Sequence, residues 1–189
     1  AVAACGDVTL LINNAGIGTG TATMADNAAE MLQQEFDTNV FGTLAMSQAF
    51  APILGANGGG GIVNVLSVLA WLSAPRTALY CAAKAASLSL TNSMRLELHG
   101  QQTQVVAVHV GLMDTDMTAG LDALKSSPDD VAAQVLDGIE AGALEVLADD
   151  VSRNVRAALS GDLTLLYPTL VDATPGGDSN ALDESGVVR

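Results

Sequence analysis

A chain of 189 residues can hold one ordinary domain, or part of a larger one, but not two independent cores. Hydrophobic residues make up 49% of it and aromatics only 3%, so its core must be assembled from Ala, Val and Leu. The formal net charge of −14 repels phosphate backbones and anionic lipid, which argues against nucleic acid and membrane surfaces as partners.

In chain order, residues 7–13 (DVTLLIN) form an apolar run ending in Asn-Asn-Ala-Gly, the pattern of a buried parallel strand. Gly16, Gly18 and Gly20 make a loop. Helical spacing then runs from about residue 27 to 54, through Phe36, Val40, Leu44 and Ala45, with a break expected at residues 37–39. Residues 56–61 (ANGGGG) read as a loop and 62–66 (IVNVL) as a second strand. Pro75 closes the next loop ahead of an Ala-rich helix over 78–99, and residues 104–110 (QVVAVHV) give a third strand. A loop over 111–127 with a short helix follows, then a helix over 129–141 opened by Pro128. Residues 145–148 form a fourth, short strand, and 149–159 a last helix. This alternation implies an α/β domain over residues 1–166, a doubly wound parallel sheet, followed by a mobile acidic tail over 167–189 rich in Pro and Gly.

Cys5 and Cys81 have no metal-ligand spacing, so neither a metal site nor a disulfide scaffold is expected, and a reducing, cytoplasmic setting is. No run reaches the ~18 apolar residues of a membrane span. The best, residues 62–74, is interrupted by Asn64, Ser67 and Ser73. The chain opens on Ala rather than Met, and no basic, apolar leader precedes Cys5.

The residues that carry chemistry are Ser67, Tyr80 and Lys84. Tyr80 and Lys84 lie four apart on an expected helix and so project from one face. A free tyrosine titrates near pH ~10, too high for proton transfer at neutrality, and a nearby ammonium draws it down. Ser67 ends a strand, at the sheet edge where parallel α/β proteins place ligands. The plain alternative is a half-buried helix tyrosine and a solvated lysine.

Asn13-Asn14-Ala15-Gly16, Asn39 in NVFG, Ser67 after IVNVL, Tyr80-Cys81-Ala82-Ala83-Lys84 and Thr115-Asp116-Met117 follow one another in an order that resembles the short-chain dehydrogenase/reductase superfamily. The thirteen residues from Ser67 to Tyr80 match as well, and the resemblance covers roughly residues 5–160. It implies a Rossmann-like fold and an NAD(P)-dependent oxidoreductase that interconverts a carbonyl and a secondary alcohol. Tyr80 would then be the general acid/base, Ser67 would orient the substrate oxygen, and Lys84 would lower the Tyr80 pKa and hold the nicotinamide ribose. Asn39 would offer a backbone carbonyl to a water linking Lys84 to solvent. Asn13, Ala15 and Gly16 would line the adenosine side of NAD or NADP, and Met113 and Thr115 would meet the nicotinamide amide. A homodimer or homotetramer through the helix at Tyr80 and the helix before the second strand is also implied.

Structural roles compete at each position. Asn13 and Asn14 can end a strand as turn formers, and Asn39 and Thr115 can cap helices. His109 reads as a satisfied core histidine, and Cys81 as a small packing residue. Two substitutions depart from the family: Val110-Gly111 stands where Pro-Gly is usual, and Leu66 where a serine often precedes the catalytic one. The larger departure is that the glycine-rich turn and first three strands of the family have no counterpart in these residues, so the sheet is expected to lack three strands. Gly16-Ile17-Gly18-Thr19-Gly20 has no helix directly behind it and is not that turn. An N-terminally truncated oxidoreductase is the first reading; a cofactor-free oligomerising protein or a small-molecule binder is the alternative. The apolar residues Leu112, Met117, Leu121 and Leu124 permit a lipophilic ketone or alcohol as substrate.

Overall fold

In the computed structural model, which describes residues 6–168, four strands form one sheet: β1 (Leu10–Asn13), β2 (Gly60–Val65), β3 (Thr103–His109) and β4 (Glu145–Leu147). They lie side by side in chain order and every pairing is parallel. Each connection therefore crosses over the sheet, and the helices supply the crossovers. These are α1 (Ala28–Phe36), α2 (Thr43–Ala56), α3 (Ala78–Glu97), α4 (Pro128–Glu140) and α5 (Asp150–Ala158).

Two apolar layers follow from strand alternation. On one face Leu11, Ile62 and Val105 meet Leu54 of α2 and Met94 of α3. On the other, Val63, Val106, Val108 and Val146 meet Val131 and Val135 of α4. β2 and β3 are thus covered on both sides, which is why they read as unbroken apolar runs. β1 differs: Leu10 and Ile12 are 36% and 48% exposed, because no helix among the described residues covers that side of it.

A polar chain crosses the first interior layer. Asn13 and Asn64 are register partners, and Asn13 Nδ2 donates to Asn64 Oδ1 at 2.8 Å and to Ser47 Oγ at 3.1 Å. Asn64 Nδ2 donates in turn to Thr91 Oγ1 at 2.9 Å, whose hydroxyl is spent on the Ser87 carbonyl.

Two sequence expectations need correction. The break at residues 37–39 does not occur: α1 passes into α2 through a π-helical segment, Asp37–Gly42. The polar run DTN suggested an interruption, but Asn39 is buried and satisfied, so the helix widens by one residue instead of ending. Residues 60–61, read as loop, open β2. The Gly60 φ is +148°, and a Cβ there would sit 2.2 Å from the Thr9 carbonyl oxygen, so only glycine allows β1 so close. Residues 169–189 of the expected acidic tail lie outside the described residues; Tyr167, where that tail was placed, accepts a hydrogen bond from Ser73 N at 2.9 Å through its hydroxyl. Among the described residues no helix is long and apolar enough to cross a membrane.

Candidate active site

The C-terminal ends of β1 and β2, the π segment and the first turns of α3 converge on one region. Ser67 leaves β2 in an extended conformation and caps the short turn Val68–Ala70, its Oγ accepting from Leu69 N at 3.2 Å. The same hydroxyl donates to the Val110 carbonyl at 3.4 Å, which ties it to the loop after β3. That loop holds at Val110 without the proline usual in the resembling family.

Tyr80 and Lys84 project from one face of α3, with the Lys84 Nζ 5.5 Å from the Tyr80 ring centroid. Lys84 is buried and gives its ammonium to the Val65 carbonyl at 2.9 Å. Burial lowers its pKa to about 8. Tyr80 moves the other way: burial, then the charge of Glu35 and that of Cys81, raise it to about 12, with the Ser67 hydroxyl pulling weakly down. The shift that burial and Glu35 give the phenol runs opposite to the one that the resemblance implies for Lys84. A lysine this desolvated is a weaker cation near pH 8, and its hydrogen bond is spent on backbone.

Asn39 lies against the loop after β1. Its amide brackets Ile17, accepting from Ile17 N and donating to Ile17 O, both at 2.9 Å. Its backbone carbonyl accepts from Thr43 Oγ1 at 3.0 Å and Ser87 Oγ at 2.9 Å. It is not a helix cap but an interior residue of the π segment. A Cβ on Gly16 would lie 3.0 Å from Asn39 Oδ1 and 3.6 Å from Lys84 Nζ, so Gly16 is what lets this loop reach both. Asn39, Gly16, Lys84, Tyr80 and Ser67 thus share one region.

The remaining candidates separate from it. The Asn13 amide is consumed inside the sheet, yet its residue lines a cavity of about 340 Å³ with Asn14, Ala15, Thr38 and Thr43 at the β1 edge. The cavity opens at the C-terminal end of β1, the end of a parallel strand at which α/β proteins place ligands. Thr115 caps the turn Asp116–Thr118 with a reciprocal bond to Thr118, which is the structural role open to it. Met113 is half-buried against the second core layer and bridges to Ser126.

His109 is only half satisfied. It is fully buried, its Nδ1 lies 3.1 Å from the Ser67 carbonyl, and its ring stacks on Trp71 at 3.7 Å. Among the described residues its Nε2 has no hydrogen-bond partner and faces Glu145 at 3.6 Å, so the expectation of a satisfied core histidine needs amending. Burial holds its pKa below the ordinary histidine value. Cys81 is buried as expected, with Sγ 3.6 Å from Thr77 Oγ1.

One residue escaped the sequence reading altogether. Glu35 is completely buried, and its Oε1 accepts from both Thr19 N at 2.7 Å and Thr19 Oγ1 at 2.6 Å. The signal was available: a carboxylate one helical turn before Asn39, on a face otherwise carrying Phe36 and Val40.

Comparison with known proteins agrees with this architecture. The chain is 38% identical over 116 residues to a 3alpha-hydroxysteroid dehydrogenase of Mediterraneibacter gnavus, covering 61% of this chain and 46% of that protein. It is 32% identical over 112 residues to an NADP-dependent 3-hydroxy acid dehydrogenase of Schizosaccharomyces pombe, covering 59% and 43%. The chain thus spans about half the length of these curated relatives. A short chain dehydrogenase of Burkholderia cenocepacia, solved in complex with NADP, superposes with a TM-score of 0.83 at 35% identity, over 90% of this chain and 74% of that one. The sequence model described as short chain dehydrogenase matches residues 1–125, and this protein belongs to that oxidoreductase family.

Proposed function

We propose that this protein carries the catalytic half of an NAD(P)-dependent oxidoreductase that interconverts a small, lipophilic ketone and its secondary alcohol. The observation that carries the reading is the convergence of Ser67, Tyr80 and Lys84 beside Gly16 and Asn39. The nicotinamide cofactor, when bound, supplies or accepts the hydride. Ser67 orients the substrate oxygen, and the Tyr80 hydroxyl donates a proton to it during reduction and recovers it during oxidation. Lys84 stands one turn deeper and hydrogen-bonds the ribose side of the cofactor while keeping positive charge near the phenol. Asn13, Ala15 and Gly16 would flank the adenosine side, and Met113 and Thr115 the nicotinamide amide. The cavity at the β1 edge supports the first of these groups.

The test is a titration of the 189-residue chain with NADH and NADPH, followed by energy transfer from its single tryptophan. Trp71 lies on the turn that follows Ser67, so a nicotinamide beside Ser67 is close to it. Saturable quenching at micromolar cofactor supports the reading. Absence of transfer at millimolar cofactor overturns it for this chain.

The same reading carries a cytoplasmic homodimer or homotetramer through α2 and α3. Exposed Met46 on α2 and Ala82, Ala85, Ser89 and Leu96 on α3 give these helices small and apolar outer positions. Sedimentation velocity at micromolar protein should show a species of at least twice the 19.1 kDa chain mass. A lone monomer there removes the oligomer from the reading.

A further inference from the structure

The segment Ser67–Trp71 leaves β2, presents the serine hydroxyl and forms the turn Val68–Ala70. One buried side chain of β3 holds both of its ends. The His109 Nδ1 lies 3.1 Å from the Ser67 carbonyl, and the imidazole stacks on the Trp71 ring at 3.7 Å with 16° between the planes. A carbonyl oxygen only accepts, so Nδ1 carries the ring proton and the neutral imidazole is fixed in one tautomer. The other nitrogen, Nε2, is then an acceptor with no partner among the described residues, 3.6 Å from Glu145 Oε1. Glu145 is itself engaged by Arg156 Nε at 2.9 Å, and the Arg156 guanidinium lies 5.9 Å from the Trp71 ring centroid. Packing alone would be served by an aliphatic residue, as Val105 and Val106 serve it elsewhere on the strand. A fully buried imidazole with one orphaned nitrogen costs free energy that packing does not return. What it contributes is the bond at Ser67.

We propose that His109 is a positioning residue for Ser67: its Nδ1–H pins the serine's carbonyl to β3 and so fixes the hydroxyl that meets the substrate oxygen. The inference rests on the proposed function, in which Ser67 orients that oxygen. The Ser67 carbonyl also closes the turn, accepting from Ala70 N at 3.1 Å, so the histidine is a second, non-local donor on the same oxygen. The peptide joining Ser67 to Val68 is thereby held from both sides, since Val68 N donates to the Val110 carbonyl at 3.0 Å. Holding that plane keeps Ser67 at its extended ψ of 162°. The hydroxyl's own bonds are the 3.2 Å one from Leu69 N and a long 3.4 Å one to the Val110 carbonyl, and neither reaches β3 itself. The stack on Trp71 keeps the imidazole in the plane that aims Nδ1 at the carbonyl.

The chain has two histidines, exposed His99 and buried His109, so imidazole ¹⁵N resonances tell them apart. In the full chain near neutral pH, His109 should show the tautomer protonated at Nδ1. Protonation at Nε2 instead overturns the proposal, because no donor then faces Ser67. The Leu69 amide reports where the hydroxyl sits, since it donates to Ser67 Oγ. Two variants divide the imidazole: His109→Asn keeps a donor near the place of Nδ1, whereas His109→Gln keeps one near the place of Nε2 and none at Ser67. Hydrogen exchange at Leu69 should quicken roughly five- to tenfold in His109→Gln and stay within about twofold of the parent in His109→Asn, the scale of one lost hydrogen bond. A histidine that only filled space would give the reverse order, because Asn is smaller and leaves the larger void against Trp71. Equal exchange in the two variants, or faster exchange in His109→Asn, overturns the proposal. If His109→Gln does not fold, the tautomer of the parent decides. In steady-state reduction the loss should fall on kcat in the same order, with Gln below Asn. Tautomer and exchange need no cofactor, so failure of NADH and NADPH to bind sinks the proposed function and leaves this result standing.

Discussion

Replacing Tyr80 by phenylalanine should lower kcat/KM for ketone reduction by roughly 10²–10⁴-fold, the usual contribution of one positioned proton donor. The variant keeps the ring that packs beneath Gly18 and removes only the hydroxyl. The hydroxyl's one contact with another element is its hydrogen bond to Ser67 on the turn after β2, so its loss should cost the fold little. Cofactor affinity, read from Trp71, should also persist, and the loss should fall on kcat rather than on KM. On the proposed function, burial of the phenol implies that Tyr80 enters reduction protonated. Alcohol oxidation by the same enzyme should accelerate with rising pH. Steady-state rates in both directions, measured on parent and variant, check each statement; retention of more than a tenth of the reduction rate by Tyr80→Phe would remove the tyrosine from its role.

The second large effect concerns stability. Lys84 titrates at about 8 in the folded chain against 10.5 for an unburied lysine. Between those values the unfolded chain binds more protons than the folded one, so stability rises with pH. Below pH 8 the penalty for burying the ammonium is present in full; above 10.5 it has vanished. Tyr80 opposes this only later, as its folded value of about 12 exceeds the ordinary 10.0 and stability falls with pH above 10. The window from pH 8 to 10 should therefore show a gain approaching roughly 2–3 kcal/mol. Lys84→Met should abolish the gain and be more stable than the parent near neutrality. Urea unfolding midpoints across that window test it, and an equal rise in both proteins would exclude Lys84 as the cause.

The order of strands and helices was legible because each element carries its own signal. β2 and β3 are unbroken Val-rich runs, the mark of strands covered on both faces, and Pro128 opens α4 where a first-turn proline belongs. What could not be read were the features set by contact between distant segments. Gly60 is a strand residue only because the Thr9 carbonyl approaches it, and four consecutive glycines otherwise announce a loop. The helix at Asp37–Gly42 survives its polar run because Ile17, far away in sequence, occupies the Asn39 amide. Within the site, motif order pointed to Ser67, Tyr80 and Lys84, whose side chains the fold brings near one another. It gave no access to their electrostatics, since burial and Glu35 dominate the phenol and neither is a local property of the Tyr-x-x-x-Lys pattern. Glu35 itself matched no motif and was found from its depth alone.

The paired amides of Asn13 and Asn64 bear on how reliably such a chain assembles. β1 is four residues long, and its apolar side chains Leu10, Leu11 and Ile12 would tolerate several alignments against β2. A slip of one residue turns every side chain to the opposite face, so Asn64 would meet an aliphatic neighbour while Asn13 faced the wrong layer. Asn13 would then lose both Asn64 and Ser47, and Asn64 Oδ1 would lose its donor, while the Asn64 bond to Thr91 would stand. At about 1–3 kcal/mol for each stranded polar group, out-of-step pairings are rejected before the helices close over them. The same alignment carries Val65, and with it the carbonyl that receives Lys84 and the strand exit that presents Ser67. Buried Asn64 and half-buried Asn13 thereby act as a proofreading step for the strand ends that carry Val65 and present Ser67.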